Sequence, residues 1–309
     1  MTPPFDLLVA GEINPDLILS GNVDPAFGQV EKLVDSAVLT VGSSSVIFAC
    51  GAAKLGLRVA FIGLCGADLF GRFMLDEMNS RNVDTSSVVV RPVGQTGLSV
   101  ILNRRTDHAI LTHLGLVAAL TAADVTVDLL RQARHLHVAS YFLQSGLQPG
   151  LPGLFDHAHA LGLSTSLDTN WDPSGAWAGF DELLPRVDVF LPNEKEAFAL
   201  AKTNDLELSL QQLSESCKVV AIKMGVGGAV ARSGQETARV SALEVNVVDT
   251  VGAGDSFDAG FLYGFLNGWR LQKSLQLAVA CGSLSTRQAG GTTAQPVLEE
   301  AMQYVSPAG

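Results

Sequence analysis

A glycine-rich segment that ends in a carboxylate, Gly-Ala-Gly-Asp at 252–255, is the part of this sequence best suited to chemistry. Apolar residues such as Phe257 and Phe261 follow it at helical spacing, so the segment is predicted to open a buried helix. The first N–H groups of a helix lack intrahelical acceptors, and the helix dipole favours an anion there. We expect a phosphate to bind here, while Asp255, kept ionised by the positive helix end, accepts a proton from a hydroxyl.

Taken alone, Gly-Ala-Gly-Asp would more often be the start of an ordinary capped helix. Other catalytic motifs are absent from the sequence. There is no GxxxxGK[ST] segment, so the phosphate site is not a P-loop. A third glycine, as in GxGxxG, is missing because Phe257 stands at its position, and no GxGxxG follows the first predicted strand. The sequence therefore disfavours a dinucleotide-dependent dehydrogenase.

The elements that must position this segment alternate between short apolar strands and helices. Strands are predicted at 6–10, 58–63, 136–139, 164–168, 187–191 and 219–223, and an early helix at 46–55 ends at Gly56. This alternation predicts an α/β fold, a three-layer α/β/α arrangement around a mainly parallel central sheet. Ligands of such folds bind beyond the carboxyl ends of the strands.

Two segments, at about 17–41 and 88–113, interrupt the alternation with strand-like pieces and a turn at 104–107. We expect them to form a small β-strand lid that covers the site. No linker or repeat divides the remainder, so residues 1–309 are predicted to form a single domain.

Composition excludes several classes of protein. The net charge is −11, and the 20 lysines and arginines form no cluster, so no nucleic-acid partner is expected. No apolar run reaches the roughly 18 residues of a spanning helix, and no signal peptide is recognisable, so we predict a cytoplasmic protein without a membrane partner. Four widely spaced cysteines are predicted to be reduced and buried.

The full string at 249–261, DTVGAGDSFDAGF, closely resembles the C-terminal signature of the ribokinase-like, or PfkB, carbohydrate kinases. The resemblance extends over most of the chain. It implies a ribokinase-like fold and an enzyme that uses ATP and Mg²⁺. It implies that Asp255 is the catalytic base. It also implies that the amides of Gly252, Ala253 and Gly254 form the anion hole for the migrating phosphate.

Two further matches imply the acceptor-binding residues. The first strand leads to Asn14 and Asp16, where the family's Asp binds substrate hydroxyls. A small-residue stretch then begins with Gly42 and Ser43, at positions that line the sugar pocket in relatives. The family usually has Gly-Gly there and an Asn at Ile47, so this sequence departs from the pattern at the positions that decide the substrate.

The same resemblance implies the nucleotide and metal sites. Asn193 and Glu196 match an Asn-x-x-Glu element associated with magnesium, although the pair is also typical of a helix capping box. The carried-over nucleotide-binding residues are Lys223, Gly225, Gly228 and Ser283. Many relatives have an Asn near the position of Val279. This position is apolar here, so the sequence does not show how adenine would be recognised. Backbone carbonyls around Asp249, Val251 and Gly290 correspond to a K⁺ site in many relatives.

We therefore predict an ATP-dependent kinase that phosphorylates a primary hydroxyl of a monosaccharide or related polyol. A nucleoside kinase of the same fold, a 2-keto-3-deoxygluconate kinase, and a non-catalytic sugar or nucleotide sensor remain alternatives. The loop at 168–172 lacks the Arg that sugar-acid kinases offer to a carboxylate, and the intact Asp255 argues against a sensor. The resemblance also suggests a homodimer formed through the lid.

Overall fold

The computed structural model describes residues 3–104 and 107–306. The strands are β1 (Leu7–Ala10), β2 (Pro15–Ser20), β3 (Ser36–Val41), β4 (Val59–Ile62), β5 (Leu64–Gly66), β6 (Val83–Asp84), β7 (Val89–Arg91), β8 (Leu98–Arg104), β9 (Asp107–His113), β10 (His135–Val138), β11 (Ser164–Leu167), β12 (Val189–Phe190), β13 (Val219–Lys223), β14 (Ala229–Ser233) and β15 (Glu236–Val240). The helices are α1 (Ser44–Lys54), α2 (Leu69–Ser80), α3 (Val127–Leu130), α4 (Leu151–Ala160), α5 (Phe180–Leu183), α6 (Glu194–Ala201), α7 (Leu206–Ser216), α8 (Ala253–Leu266), α9 (Leu271–Ser285) and α10 (Leu298–Met302).

Nine strands form the central sheet, in the order β15-β14-β13-β12-β11-β10-β1-β4-β6. Neighbouring strands are parallel from β6 to β13, and the β13–β14 and β14–β15 pairs are antiparallel, so only β14 runs against the others. All four residues of β1 are buried, as expected for a strand that is covered on both faces. The predicted α/β fold with a mainly parallel sheet is confirmed.

Helices cover both faces of this sheet because successive side chains of a strand point to opposite sides. Leu7 and Val9 join the core formed with α1, α8 and α9. Leu8 and Ala10 join a second core formed with α4 and α7. The two cores place the start of α8 at the edge of the sheet where the parallel strands end.

The two interrupting segments supply a separate four-stranded sheet, in the order β3-β2-β8-β9. It begins at Pro15, two residues before the predicted boundary, and β7 pairs with β5 instead of joining it. Residues 105 and 106 of the predicted turn lie outside the described residues.

The four cysteines are buried free thiols, as predicted: Cys50, Cys65, Cys217 and Cys281. Burial raises the pKa of the Cys50 thiol to about 12, so this thiol remains protonated at neutral pH. Among the described residues, the helices are all too short or too polar to cross a lipid bilayer.

Candidate active site

A cleft of about 530 Å³ opens where strands β11, β12 and β13 end, as expected for a parallel sheet. All the predicted catalytic, nucleotide and metal residues line it: Gly252, Ala253, Gly254, Asp255, Lys223, Gly225, Gly228, Ser283, Asn193 and Glu196. The lining of this cleft does not include the predicted acceptor-binding residues Asn14, Asp16, Gly42 and Ser43. They lie beside the cleft, where Asp16 interacts electrostatically with Asp249.

The start of helix α8 presents free backbone amides to the cleft. Gly252 precedes the helix at φ 74°, and a Cβ there would lie 2.7 Å from the Cα of Gly291, so both conformation and packing require glycine. Within the described part of the chain, the N–H groups of Gly252 and Gly254 have no protein acceptor. The N–H of Ala253 donates to the carbonyl of Thr250 at 3.2 Å. Two of the three predicted anion-hole amides are therefore free, and the third must exchange its partner to bind phosphate.

Asp255 is buried at this helix start, and only 8% of the residue is exposed. Burial raises the pKa of its carboxyl well above the ordinary value, and the charges of Asp168 and Glu12 reinforce the effect. Lys223 and the Ser44 hydroxyl oppose it. The helix end therefore does not keep the pKa of Asp255 low, because burial and the neighbouring carboxylates outweigh it. A helix dipole contributes about 0.3–1 kcal/mol, less than the roughly 1.4 kcal/mol of a single pKa unit.

A buried ion cluster lies beside Asp255. The Lys223 ammonium donates to Asp168 Oδ2 at 2.8 Å and to both carboxylate oxygens of Asp258 at 3.1 Å. Burial alone would lower the pKa of Lys223, but the charges of Asp168 and Asp258 outweigh burial and raise this pKa above its ordinary value. The ammonium therefore remains charged. Lys223 lines the cleft, but its ammonium is held by these two carboxylates, and its role in nucleotide binding remains a prediction.

Asn193 and Glu196 form a capping box at the start of α6. The Asn193 side chain accepts from the Glu196 N–H at 3.0 Å, and Glu196 Oε2 accepts from the Asn193 N–H at 2.9 Å. Burial, followed by the charge of Asp168, raises the pKa of Glu196 to about 7. A carboxylate has about four acceptor positions, so Glu196 can still accept from a metal-bound water. This oxygen donor set fits Mg²⁺ bound through water.

The nucleotide side of the cleft consists of a glycine turn and an apolar wall. Gly225 and Gly228 adopt φ 54° and 85°, and a Cβ on Gly228 would lie 2.0 Å from the Val240 carbonyl. The Ser283 hydroxyl accepts from the backbone N–H of Leu243 at 3.2 Å. The wall is apolar and consists of Leu243, Val245, Val247, Phe257 and Val279. A flat aromatic ring can therefore pack here without a dedicated side-chain hydrogen bond.

The predicted acceptor-binding residues form a buried polar group at one end of the four-stranded sheet, where β2 begins and β3 ends. Asn14 donates to the Ser99 hydroxyl at 3.3 Å. Burial, together with the charges of Glu12 and Asp249, raises the pKa of Asp16 to about 7. A Cβ on Gly42 would lie 2.2 Å from Asp16 Oδ1, so only glycine fits there.

The Ser43 hydroxyl already makes two hydrogen bonds within the protein, so its predicted role in binding the substrate remains a prediction. The hydroxyl caps α1, accepting from the Val46 N–H at 3.1 Å and donating to the Glu12 carbonyl at 2.7 Å. Ser43 has φ 66°, a conformation that glycine adopts at lower cost. This explains why the resembling family usually has a second glycine at this position.

Sequence reasoning assigned no role to several polar residues that the structure brings to the site: Glu12, Ser44, Ser140, Asp168, Asn170 and Asp258. Glu12, Ser140, Asp168 and Asn170 follow the ends of parallel strands within three residues. The position of a polar residue immediately after a buried strand is the signal that could have identified them.

Solved structures of kinases share this fold. A protein from E. coli, described as a candidate ribokinase II and solved with ATP and Mg²⁺, superposes with a TM-score of 0.85 at 22% identity, over 97% of this chain and 98% of its own. An adenosine kinase from Sinorhizobium meliloti gives a TM-score of 0.84 at 26% identity, over 97% and 98% of the two chains. The fold is thus ribokinase-like.

Sequence comparison identifies the family. A 5-dehydro-2-deoxygluconokinase from Geobacillus thermodenitrificans is 28% identical over 98% of this chain and 93% of its own length. The family model described as "pfkB family carbohydrate kinase" matches residues 6–298. The chain belongs to the pfkB family of carbohydrate kinases, which makes it a phosphotransferase with an alcohol group as acceptor.

Proposed function

We propose that this chain transfers the γ-phosphate of ATP to a primary hydroxyl of a neutral monosaccharide or polyol. The observation that carries the proposal is that a buried carboxylate, Asp255, and the free amides of Gly252 and Gly254 share one helix start in one cleft. A hydroxyl beside the carboxylate would face a phosphoryl group beside the amides, which is the arrangement that in-line transfer needs.

In this proposal Asp255 accepts the proton of the hydroxyl, and the amides of the helix start, including that of Ala253, receive the charge of the phosphate. A base must be ionised to act. Because the pKa of Asp255 is raised, activity should fall as the pH is lowered through that pKa and recover above it. Asn14 and Asp16 would bind the other acceptor hydroxyls.

ATP would lie with its base against the apolar wall, beside the glycine turn at 225–228, and with its γ-phosphate beside the amides of the α8 start. Asn193 and Glu196 would hold a magnesium ion through water, and that ion would neutralise phosphate charge when bound. Binding of K⁺ remains a prediction. Its support is that the Asp249 carboxylate accepts from the N–H groups of Val251 and Gly290, which joins the segments whose carbonyls would bind the ion.

The charge of the site favours a neutral acceptor over a sugar acid. The charges of Glu12 and Asp249 help to raise the pKa of Asp16, and the Lys223 ammonium is held by two carboxylates. Asp172, in the loop where sugar-acid kinases offer Arg, is buried and accepts from the N–H groups of its own loop. The carboxylate of a gluconate derivative, as in the name of the Geobacillus relative, would lie among carboxyl groups, and the one lysine of the cleft lining, Lys223, is already paired with two of them.

A panel of acceptors tests the proposal. We expect ADP release that depends on a neutral hexose, pentose or polyol, with the matching sugar acids at least about tenfold less effective in kcat/KM. That ratio corresponds to about 1.4 kcal/mol of unfavourable charge interaction. The adenosine kinase neighbour favours adding nucleosides to the panel. Preference for a nucleoside or a sugar acid would overturn the assignment, and no ADP release with any acceptor would favour a sensor.

We also propose that the four-stranded sheet acts as a lid and joins two copies of the chain. Its support is a set of exposed apolar residues on this sheet and its β2–β3 connection: Phe27, Leu33, Val38, Ile110 and Leu111. Analytical ultracentrifugation should give a dimer that Leu111→Glu weakens, whereas a monomeric wild type would contradict the proposal. Cytoplasmic location remains a prediction from the sequence.

A further inference from the structure

The side chain of Asn170 lines the active-site cleft and is held at its amide end by two hydroxyl groups. Asn170 Nδ2 lies 2.7 Å from Ser140 Oγ and 2.6 Å from Ser44 Oγ. The backbone N–H of Asn170 donates to Asp168 Oδ1 at 3.1 Å. The function proposed above gives Asn170 no part in the reaction.

Glu12 decides which end of the Asn170 amide faces these hydroxyls. Glu12 is buried, and its carboxylate accepts from the Ser45 N–H, the Ser45 hydroxyl and the Ser140 hydroxyl. Ser140 therefore gives its single hydrogen to Glu12 and can only accept from Asn170. The group of Asn170 that faces Ser140 is consequently its NH₂ group and not its oxygen.

The amide oxygen of Asn170 is left without a donor. Both hydrogens of the NH₂ group are used, one on each hydroxyl, and within residues 3–104 and 107–306 no group donates to Asn170 Oδ1. In that same part of the chain, the buried side-chain atoms without a partner are His137 Nε2 and Gln144 Oε1. Asn170 Oδ1 is thus unpaired but accessible, and it belongs to a residue of the cleft lining.

An unpaired amide oxygen selects a ligand group that donates a hydrogen bond. Phosphate oxygens are acceptors at neutral pH, so the hydroxyls of the phosphoryl acceptor suit Asn170 Oδ1 better. Its position agrees, because its partner Ser44 directly follows the predicted acceptor-binding residues Gly42 and Ser43. The glycine turn of the nucleotide side follows β13, which lies two strands away from the end of β11 that leads to Asn170.

We propose that Asn170 is a specificity-determining residue that accepts a hydrogen bond from an acceptor hydroxyl other than the one that is phosphorylated. Glu12 and Ser140 are positioning residues, because they hold the amide with its oxygen free for the acceptor. The acceptor must then carry a hydroxyl, and not a carbonyl or a methylene group, at the carbon that faces Asn170. This inference rests on the proposed function of the cleft.

The backbone at both ends of the Asn170–Ser140 contact supports a built arrangement. Ser140 and Asn170 have φ values of 51° and 52°, in the left-handed region that residues other than glycine seldom adopt. Asn tolerates this region, but Ser adopts it at a cost. Such conformations persist where surrounding contacts over-determine them, and they concentrate at functional sites.

Acceptor derivatives that lack one donor at a time test the contact. The probes are the neutral acceptor that the panel selects and its monodeoxyfluoro derivatives, one for each hydroxyl that is not phosphorylated. Fluorine replaces the hydroxyl without being able to donate. In the wild type, we expect one derivative to lose at least about tenfold in kcat/KM, because it leaves Asn170 Oδ1 unpaired. In Asn170→Gly, the same derivative should lose no more than about twofold.

Three further variants separate this contact from a general loss of structure. Asn170→Asp keeps an accepting oxygen and tolerates the same φ, so it should retain the discrimination even where turnover falls. Ser140→Ala leaves the amide free to turn and should give a discrimination between those of the wild type and Asn170→Gly. Ser174→Ala is the matched control, because Ser174 lies in the same loop and bonds to Asp172 at 2.7 Å. It should keep the wild-type ratio.

Each ratio compares two acceptors on one variant, so a general loss of activity cancels. Discrimination that survives in Asn170→Gly, or a wild type that loses no more than about twofold with every derivative, would overturn the inference. A variant Asn170→Gly in which only the dependence on Mg²⁺ or ATP changes would overturn it as well, because Oδ1 would then serve metal-bound water or the nucleotide.

Calorimetric titration gives the same ratios as dissociation constants, without any phosphoryl transfer. Failure of the proposed function would appear there as acceptor binding without ADP release. Failure of the inference would appear as equal affinities of wild type and Asn170→Gly for every derivative.

Discussion

Asp255→Asn is expected to lower kcat at least about 10²-fold while leaving ATP and acceptor affinities within a few-fold of wild type. The amide is nearly isosteric with the carboxyl but cannot accept a proton from the acceptor hydroxyl, and lost general-base catalysis typically costs 10²–10⁴-fold. The amides of the helix start remain, so binding of the phosphates should persist. Steady-state kinetics with calorimetric titration of both ligands measures the two effects separately.

Asp76→Asn is a suitable control for that substitution. Asp76 is an exposed residue of helix α2 and does not line the cleft, so its replacement should disturb neither the fold nor the site. Its turnover should match that of the wild type. Asp255→Asn with wild-type turnover would show that another group removes the proton.

Lys223→Met is expected to lower the free energy of unfolding by about 3–5 kcal/mol, because removing one partner of a buried ion pair leaves an uncompensated charge. Asp168 and Asp258, which the ammonium holds, are 2% and 1% exposed. Methionine replaces most of the aliphatic stem, so lost packing adds little. Urea unfolding followed by circular dichroism gives the difference.

Lys218→Met provides the comparison for Lys223→Met. Lys218 precedes the same strand and pairs with Asp188, but 76% of its side chain is exposed, so its replacement should cost no more than about 1 kcal/mol. Equal losses in the two variants would mean that solvent screens the cluster around Lys223 and that the buried pair contributes little.

The sheet and the start of α8 were predictable because the signals are local. Strands buried on both faces produce continuous apolar runs such as β1 and β4, and the glycines at the helix start are demanded by φ at Gly252 and by contact with Gly291. The helix predicted at 46–55 begins earlier, at Ser44, because the preceding residue caps it through the Val46 N–H.

The ion cluster and the raised pKa of Asp255 were not predictable because they depend on contacts between distant segments. Lys223 meets Asp168 across 55 positions of sequence and Asp258 across 35. A helix start viewed in the sequence predicts an ionised Asp, whereas burial among other carboxylates raises its pKa. The hydrogen bond from the Ser43 hydroxyl to the Glu12 carbonyl likewise depends on the packing of the α1 start against the loop that contains Glu12.

The most direct test of the account is to follow the γ-phosphate itself by ³¹P NMR, with ATP, Mg²⁺ and the neutral acceptor that the panel selects. We predict one equivalent of a sugar phosphomonoester for each ADP formed. Release of inorganic phosphate without any ester would contradict the claim that the α8 start brings an acceptor hydroxyl and a phosphoryl group together.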